Sequence, residues 1–191
     1  FKQAFHGRSG YTLSLTNTKD TRKYMYFPKF DWPRIANTKL SFPLTDESVA
    51  ETIELEIQAL AQINAAIAKN PSDVACLIIE SIQAEGGDNH FRVEFFKELR
   101  RICDENDILF ILDEVQTGIG MTGKMWCYQH YDIIPDIIAF GKKTQVCGIL
   151  ANREKIDRVE KNVFQESSRI NSTFGGNLVD MIRFKLILEV I

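Results

Sequence analysis

A carboxylate and an amine follow two apolar segments of this sequence, at positions from which both could reach one ligand. Asp113 follows the apolar run at residues 108–112, and Lys142 lies two residues beyond the mainly apolar segment at 136–140. A carboxylate can hold a proton on a heterocyclic nitrogen, and a lysine amine can form a Schiff base with an aldehyde. Together the two residues indicate a site for a cofactor that carries both groups.

Pyridoxal phosphate is such a cofactor, because it has a pyridine nitrogen and an aldehyde. Each residue taken alone also has a simpler interpretation. Asp113 could cap a helix or join a structural ion pair, and Lys142 could be a solvated loop residue. The pair is more informative than either residue, since both side chains follow the carboxyl ends of predicted strands.

A glycine-rich loop offers two alternative chemistries. Residues 118–123 fit the GxGxxG pattern of dinucleotide-binding proteins, and residues 118–124 resemble a phosphate-binding P-loop that ends in Lys124. However, no long helix is predicted directly after the strand, and Met125 occupies the position where a P-loop needs a hydroxyl. We therefore predict that these glycines form a tight turn beside the site, with nucleotide binding as the alternative.

Two further motifs could bind anions. The sequence at residues 5–8, Phe-His-Gly-Arg, places a guanidinium beside an aromatic ring, and Arg8 could grip a carboxylate with two hydrogen bonds. Residues 171–177 carry hydroxyl and glycine residues before a predicted helix, an arrangement that suits a phosphate or a plain N-cap. His6, His90 and His130 are too scattered for a metal site, so we predict surface or core roles for them and no bound metal.

The elements that must position these residues alternate between helix and strand. Apolar spacing predicts helices over residues 45–70, 93–105 and 181–191, and buried strands over 74–79, 108–112, 136–140 and 147–151. This alternation favours parallel strands in an α/β domain, with their carboxyl ends at one edge of the sheet. Ligands bind at that edge in open α/β sheets, so Asp113 and Lys142 are expected to converge there.

Composition limits the remaining functional classes. The 191 residues include 23 basic and 26 acidic side chains, giving a formal net charge of -3 without a basic block, which argues against nucleic-acid binding. No apolar run is long enough to cross a membrane. Four singly spaced cysteines favour a reducing, cytoplasmic setting. The sequence starts without Met and stops within a helical pattern, so we expect an internal piece of a larger protein.

Four stretches resemble motifs of the class-III, or omega, aminotransferases, and they follow the order of that family. The matching stretches are residues 4–8, 80–87, 112–123 and 135–142, which together extend over nearly the whole chain. Finer patterns at residues 5–18, 140–148 and 168–173 are similar to the branch of the family that acts on the ε-amino group of L-lysine. The resemblance implies fold type I of the pyridoxal-phosphate transferases, a three-layer α/β/α large domain with a mainly parallel sheet.

The resemblance also implies roles for the matched residues around the cofactor, pyridoxal 5′-phosphate. Lys142 would form the Schiff base, although spacing alone does not separate it from Lys143. Asp113 would pair with the pyridinium nitrogen, and Gln116 would hydrogen-bond the phenolic oxygen. Phe5 would stack on the ring of the cofactor.

Further roles implied by the resemblance concern the substrates and a second subunit. Arg8 would clamp the α-carboxylate of the substrate, and Glu85 would be a gating carboxylate that pairs with an arginine outside this sequence. Thr173 would reach the phosphate of the cofactor in the neighbouring subunit, which makes a homodimer necessary. Residues 1–191 would form the central part of the cofactor-binding large domain, without the upstream segment and the C-terminal small domain.

The reaction implied is transfer of the ε-amino group of L-lysine to 2-oxoglutarate, giving L-2-aminoadipate 6-semialdehyde and L-glutamate by a ping-pong mechanism. Transamination of ornithine or 4-aminobutyrate is the alternative within the family. Arg8 indicates a substrate carboxylate but does not measure the chain between carboxylate and amine. One or two methylene groups change binding by only about 1–3 kcal/mol each, and the sequence does not reveal this difference.

Overall fold

The computed structural model describes all 191 residues and contains one four-stranded sheet with its strands in chain order. The strands are β1 (Cys76–Glu80), β2 (Leu109–Asp113), β3 (Ile137–Phe140) and β4 (Gly148–Ala151). The α-helices are α1 (Gly10–Leu15), α2 (Asp46–Lys69), α3 (Val93–Glu105), α4 (Arg153–Ile156) and α5 (Leu178–Val190). Short 3₁₀ turns occur at Thr21–Lys23 and Cys127–His130.

Helix α2 begins and ends where the sequence predicts. The side chain of Thr45 accepts a hydrogen bond from the Ser48 amide, and the Ser48 hydroxyl in turn accepts one from the Thr45 amide, which completes a capping box. Asp46 and Glu47 add negative charge at the N-terminus, where the helix dipole favours it. Asn70 ends the helix, as predicted from the Asn-Pro pair that follows the apolar pattern.

Helix α3 follows β1 and precedes β2 in the chain, and its predicted bounds are confirmed. Its apolar side contributes Phe95, Phe96 and Leu99, each at most 1% exposed, to the same core cluster as Phe110 of β2. The phenyl ring of Phe96 also stacks on Tyr131, with ring centroids 4.0 Å apart. The helix is thereby fixed against β2, the strand that carries Asp113 at its end.

Strands β1, β2 and β3 pair in parallel, as the alternation of elements predicts. In this register Glu80 pairs with Asp113, so two acidic residues end neighbouring strands. Strand β4 departs from the parallel pattern and pairs antiparallel with β3. Only residues 141–147 connect these two strands, which is too short for the crossover that a parallel pair requires. The sheet is therefore mostly parallel, with one antiparallel edge strand.

Asp136 fixes the start of β3 against β2. Its buried carboxylate accepts hydrogen bonds from the Phe110 amide at 2.7 Å and from Arg100 Nη1 at 2.9 Å. Its backbone amide also donates to the Phe110 carbonyl. This anchor sets the level at which β3 ends, and hence the position of Lys142 at the opposite edge of the sheet.

The glycine-rich segment forms a turn, as predicted, and no long helix follows it. Ile119 and Gly120 adopt positive φ angles of 59° and 80°, and both backbone amides donate to the Met125 carbonyl. A side chain at Gly118 would collide with Trp126, whose ring lies 2.8 Å from the position of a Cβ atom. The predicted C-terminal helix is confirmed as α5, and none of the helices is both long and apolar enough to span a membrane.

Candidate active site

The carboxyl ends of β1, β2 and β3 bring three ionisable side chains to one edge of the sheet. Glu80 is the last residue of β1, Asp113 is the last residue of β2, and Lys142 follows β3 by two residues. The charges of Asp113 and Lys142 both act on the Glu80 carboxyl. The convergence predicted for Asp113 and Lys142 is therefore present in the fold.

Asp113 is held from two sides. Its Oδ2 lies 2.8 Å from His6 Nδ1, and its Oδ1 accepts a hydrogen bond from the Val115 amide at 3.1 Å. The His6 and Asp113 side chains are only 2% and 12% exposed. Because each oxygen has one partner within the chain, the carboxylate has a fixed orientation and keeps lone pairs for a further donor.

The segment that carries Phe5, His6 and Arg8 is anchored by its own hydrogen bonds. The His6 amide donates to Thr16 Oγ1 at 3.0 Å, and the same hydroxyl donates to the Gly7 carbonyl at 2.7 Å. Gly7 has a φ of 110°, and a Cβ atom there would lie 2.9 Å from Thr12 Oγ1. Glycine is therefore required at this position by backbone conformation and by space.

Phe5 and Arg8 lie together at the open side of this segment. The guanidinium carbon of Arg8 is 5.9 Å from the centroid of the Phe5 ring, within the range of a cation–π contact. Phe5 is partly buried, whereas Arg8 is exposed. The arrangement leaves the guanidinium free to bind an anion above the aromatic ring.

The two adjacent lysines differ in what they contact. The ammonium of Lys142 donates to the side-chain oxygen of Gln116, whereas that of Lys143 donates to the backbone carbonyl of Gln116. Lys142 is exposed, and Lys143 is partly buried. Burial, together with the charge of Lys142, lowers the pKa of Lys143. The side-chain contact places the Lys142 amine beside Gln116, the residue expected to bind the same cofactor.

The backbone around Lys142 is also fixed. The Lys142 amide donates to the Val115 carbonyl at 3.3 Å, which ties the loop after β3 to the turn after β2. A Cβ atom at Gly141 would lie 2.9 Å from Cys147 Sγ, so the residue before Lys142 has no room for a side chain. Thr144 closes this loop, because its hydroxyl lies within hydrogen-bond distance of the carbonyls of Gly141 and Val146 and can donate to either one.

Glu80 is more deeply buried than Asp113, at 5% exposure, and its only hydrogen-bond donor is the Phe5 amide, at 2.8 Å from Oε1. Burial, together with the charge of Asp113, raises the pKa of Glu80 to about 8. The Phe5 hydrogen bond and the charge of Lys142 act in the opposite direction. Glu80 is therefore mostly protonated at neutral pH.

Glu114 contacts neither Asp113 nor Lys142 by a hydrogen bond, and it stabilises the turn after β2. Its carboxylate accepts hydrogen bonds from Ser81 Oγ and from the amides of Cys127 and Tyr128. Burial raises the pKa of Glu114, although these three donors oppose the shift. The network links the end of β1, the turn after β2 and the 3₁₀ turn at Cys127–His130, and thereby stabilises the turn that carries Asp113 and Gln116.

Glu85 and Thr173 form no hydrogen bond with Asp113, Gln116 or Lys142. Glu85 is exposed in the loop after β1 and forms an ion pair with Lys23. Thr173 is exposed in the segment before α5, and no hydrogen bond joins its side chain to the rest of this chain. Of the sequence-predicted site residues, Phe5, Asp113, Gln116 and Lys142 thus lie around the sheet edge, with Arg8 beside Phe5.

Sequence patterns alone did not assign three residues of this site. The sequence predicts only a surface or core role for His6, yet this residue hydrogen-bonds Asp113, 107 positions away. Glu80 and Glu114 lie within the matched stretches 80–87 and 112–123, but those motifs assign them no separate role. The position of His6 between Phe5 and Arg8, within a motif that could bind anions, is the sequence signal for its role in the site.

The donor set at this edge fits pyridoxal 5′-phosphate. Asp113 can accept a hydrogen bond from a protonated ring nitrogen, and Lys142 offers an amine for the aldehyde. The side-chain nitrogen of Gln116 has no hydrogen-bond partner within the chain. His6 Nε2 is buried without a hydrogen-bond partner. A buried ring nitrogen without a partner, next to Asp113, indicates that another group or water completes the site.

Comparison with known proteins gives a consistent picture. The family model described as aminotransferase class-III matches residues 1–191. The chain is 58% identical over 188 residues to the L-lysine-epsilon aminotransferase of Mycobacterium tuberculosis, covering 98% of this chain and 41% of that protein. It is 52% identical over 190 residues to the protein of the same name from Streptomyces clavuligerus, covering 100% of this chain and 41% of that protein.

A solved structure agrees with the sequence comparisons. The lysine aminotransferase from M. tuberculosis in the internal aldimine form matches with a TM-score of 0.92 and 56% identity, over 100% of this chain and 42% of that one. The chain therefore spans about two fifths of the length of the relatives that it matches.

Proposed function

The chain belongs to the class-III aminotransferase family, and on that premise we propose that it is the central part of the cofactor-binding large domain of a lysine aminotransferase. The proposed enzyme transfers the ε-amino group of L-lysine to 2-oxoglutarate and gives L-2-aminoadipate 6-semialdehyde and L-glutamate. The observation that carries the proposal is the convergence of Asp113, Gln116 and Lys142 at one sheet edge, in a chain with close lysine-specific relatives.

Pyridoxal 5′-phosphate, when bound, supplies an aldehyde that condenses with amines and a protonated ring that withdraws electrons from the reacting carbon. In the proposed site Asp113 Oδ2 and Oδ1, oriented by His6 and Val115, keep the proton on the ring nitrogen. Phe5 would cover one face of the ring. The Gln116 side-chain amide would donate to the phenolic oxygen of the cofactor.

Lys142 is the proposed proton carrier. With the cofactor bound, its Nζ would hold the proton that leaves the substrate carbon bearing the transferred amine. The contact with Gln116 Oε1 holds this amine at the sheet edge before substrate arrives. Lys143, which contacts the backbone of Gln116, stays outside this step.

Arg8 is proposed to set the orientation of the substrate. Its guanidinium can bind the α-carboxylate with two hydrogen bonds, so that the distal amine of lysine points toward the reacting site. Glu85 is proposed as the gating carboxylate that distinguishes the amino donor from the dicarboxylate acceptor. It carries an ion pair with Lys23 here and is exposed, so it is free to exchange partners.

A homodimer completes the proposed site. Thr173 is exposed and without partners, as a residue that contacts the phosphate of a neighbouring subunit's cofactor would be in one isolated chain. Phe174, Leu178 and Val179 beside it are more than 70% exposed, which favours a covered surface in the assembled protein. The four cysteines are free, in keeping with the cytoplasmic location that we propose.

Lysine labelled with ¹⁵N tests the proposed reaction in the full-length protein loaded with pyridoxal 5′-phosphate. We expect label from the ε position to appear in glutamate when 2-oxoglutarate is the acceptor, and label from the α position to remain in the other product. Ornithine and 4-aminobutyrate run in parallel measure the alternatives within the family. Faster turnover of either compound than of lysine would reassign the substrate, and absence of any transamination would reject the proposed function.

A further inference from the structure

Glu80 and Asp113 form a pair of carboxyl groups, of which the proposed reaction assigns a role only to Asp113. They are register partners at the ends of β1 and β2. Neighbouring strands lie about 4.8 Å apart, and register partners direct their side chains to the same face of a parallel sheet. The two carboxyl groups therefore lie side by side, although only Asp113 has an assigned role toward the cofactor.

Two consecutive residues dock onto this pair. The Phe5 amide donates to Glu80 Oε1 at 2.8 Å, and the His6 ring nitrogen Nδ1 lies 2.8 Å from Asp113 Oδ2. The segment that carries the aromatic ring is thus seated on both strand ends at once. Loss of the Glu80 contact would release Phe5 and, through the chain, shift the imidazole that orients Asp113.

The charges around Glu80 favour its neutral form. The charged side chains that act on it are Asp113 on β2 and Lys142 after β3, and no arginine or lysine lies within ion-pair distance of its carboxyl. Two adjacent buried carboxylates repel each other, so the more buried one retains a proton. Asp113 is the less buried of the two and has the better hydrogen-bond partners.

We propose that Glu80 is a positioning residue that acts as an uncharged carboxylic acid, holding the Phe5–His6 segment through Oε1 while leaving Asp113 as the single anion beside the ring nitrogen. This inference rests on the proposed function, because it takes Asp113 and Phe5 as cofactor contacts. A second anion at this position would compete with Asp113 for His6 and for Lys142. The Phe5 hydrogen bond requires only an acceptor oxygen, which the neutral acid provides.

Two substitutions separate the hydrogen bond from the charge. Glu80→Gln keeps an acceptor oxygen for the Phe5 amide and cannot ionise, whereas Glu80→Ala removes both features. The experiment measures the lysine half-reaction and the visible spectrum of the bound cofactor in the full-length holoenzyme between pH 6 and 9.5. Thermal unfolding of each variant verifies that it is folded.

We expect Glu80→Ala to slow the half-reaction about tenfold and to alter the cofactor spectrum. Glu80→Gln should recover most of the lost rate and should lack the decline that ionisation of Glu80 causes in the parent enzyme above about pH 8. A Glu80→Gln variant as slow as Glu80→Ala would overturn the inference, because the charge would then be needed. A Glu80→Ala variant as fast as the parent would overturn it as well.

Lys142→Ala serves as the reference that separates this inference from the proposed function. If Lys142→Ala retains transamination, the proposed function is wrong. If Lys142→Ala is inactive and Glu80→Gln is equally impaired, only the role of Glu80 is wrong. Should Glu80→Ala fail to fold, the rate and pH profile of Glu80→Gln decide the question alone.

Discussion

His6 Nδ1 lies 2.8 Å from Asp113 Oδ2, and both side chains are almost completely shielded from solvent. The imidazole donates to the carboxylate through Nδ1 and so holds the oxygen that is proposed to face the ring nitrogen. A buried hydrogen bond to a charged group contributes about 1.5–3 kcal/mol, enough to fix the orientation of this carboxylate. The chemistry proposed for Asp113 therefore depends on the orientation that His6 gives to its carboxylate.

Asp113→Asn tests the need for a negative charge beside the ring nitrogen. The amide has nearly the same shape, but it cannot stabilise a protonated ring. We expect the rate of the lysine half-reaction to fall roughly 100- to 1,000-fold, with the fold retained. Stopped-flow absorbance of the holoenzyme measures the rate, and Asp132→Asn, at a side chain 92% exposed, is the matched control. Near-normal turnover of Asp113→Asn would exclude the proposed role.

His6→Ala tests the orientation of Asp113. Loss of the imidazole leaves the carboxylate charged but free to rotate, so we expect kcat for lysine to fall roughly ten- to hundredfold with a smaller change in KM. Steady-state kinetics with His90→Ala, an exposed histidine, as control provides the comparison. An unchanged kcat in His6→Ala would show that Asp113 is oriented without it.

The protonation of Glu80 has a consequence for stability. Its pKa is about 8 in the folded chain, compared with 4.5 in the absence of burial, so the folded state binds one more proton than the unfolded state between these values. The contribution of Glu80 to stability is complete below about pH 4.5 and is lost as pH rises to about 8. Each pH unit in this window corresponds to about 1.4 kcal/mol at most.

Denaturant unfolding of the parent protein and of Glu80→Gln at pH 5, 6, 7 and 8 measures this contribution. The glutamine cannot titrate, so the stability of Glu80→Gln relative to the parent should rise with pH, by a few kcal/mol in total. Comparing the two proteins at each pH cancels the contributions of other titrating groups. A difference that stays constant across this range would mean that Glu80 is ionised in the folded protein.

Glu85→Ala tests the gating carboxylate. We expect the half-reaction with lysine to suffer more than the half-reaction with 2-oxoglutarate, because the acceptor's own second carboxylate replaces the missing charge. Single-turnover rates with each substrate give the ratio. Lys23→Met is the matched control, since an exposed ion pair contributes only about 0–1 kcal/mol and should not change that ratio. Equal losses for both substrates in Glu85→Ala would contradict the gate.

Much of the scaffold is predictable because local rules decide it. The capping box at Thr45 and the amphipathic spacing of α3 depend on residues close in sequence, and both helices begin where these signals place them. The positions of Asp113 and Lys142 at one edge follow from the alternation of strands and helices. The antiparallel pairing of β4 follows from the short connection at residues 141–147. The alternation of helices and strands predicts parallel pairing and does not take the length of this connection into account.

The contacts that complete the site depend on the tertiary fold. The His6–Asp113 hydrogen bond joins residues 107 positions apart, and the Phe5–Glu80 hydrogen bond joins residues 75 positions apart. Neither has a periodic or local signal, since each requires the N-terminal segment to lie across two strand ends. The different environments of Lys142 and Lys143 also require coordinates, because adjacent lysines have no local signal that shows which atom of Gln116 each one reaches.

The most direct test of the account maps the covalent attachment of the cofactor. Borohydride reduction of the full-length protein with pyridoxal 5′-phosphate fixes the cofactor to the lysine that carries it, and peptide mass spectrometry identifies that residue. We expect the pyridoxyl group on Lys142, and on Lys142 still in a Lys143→Ala variant. Attachment to Lys143, or to a lysine away from this sheet edge, would contradict the central claim that Asp113 and Lys142 hold one cofactor between them.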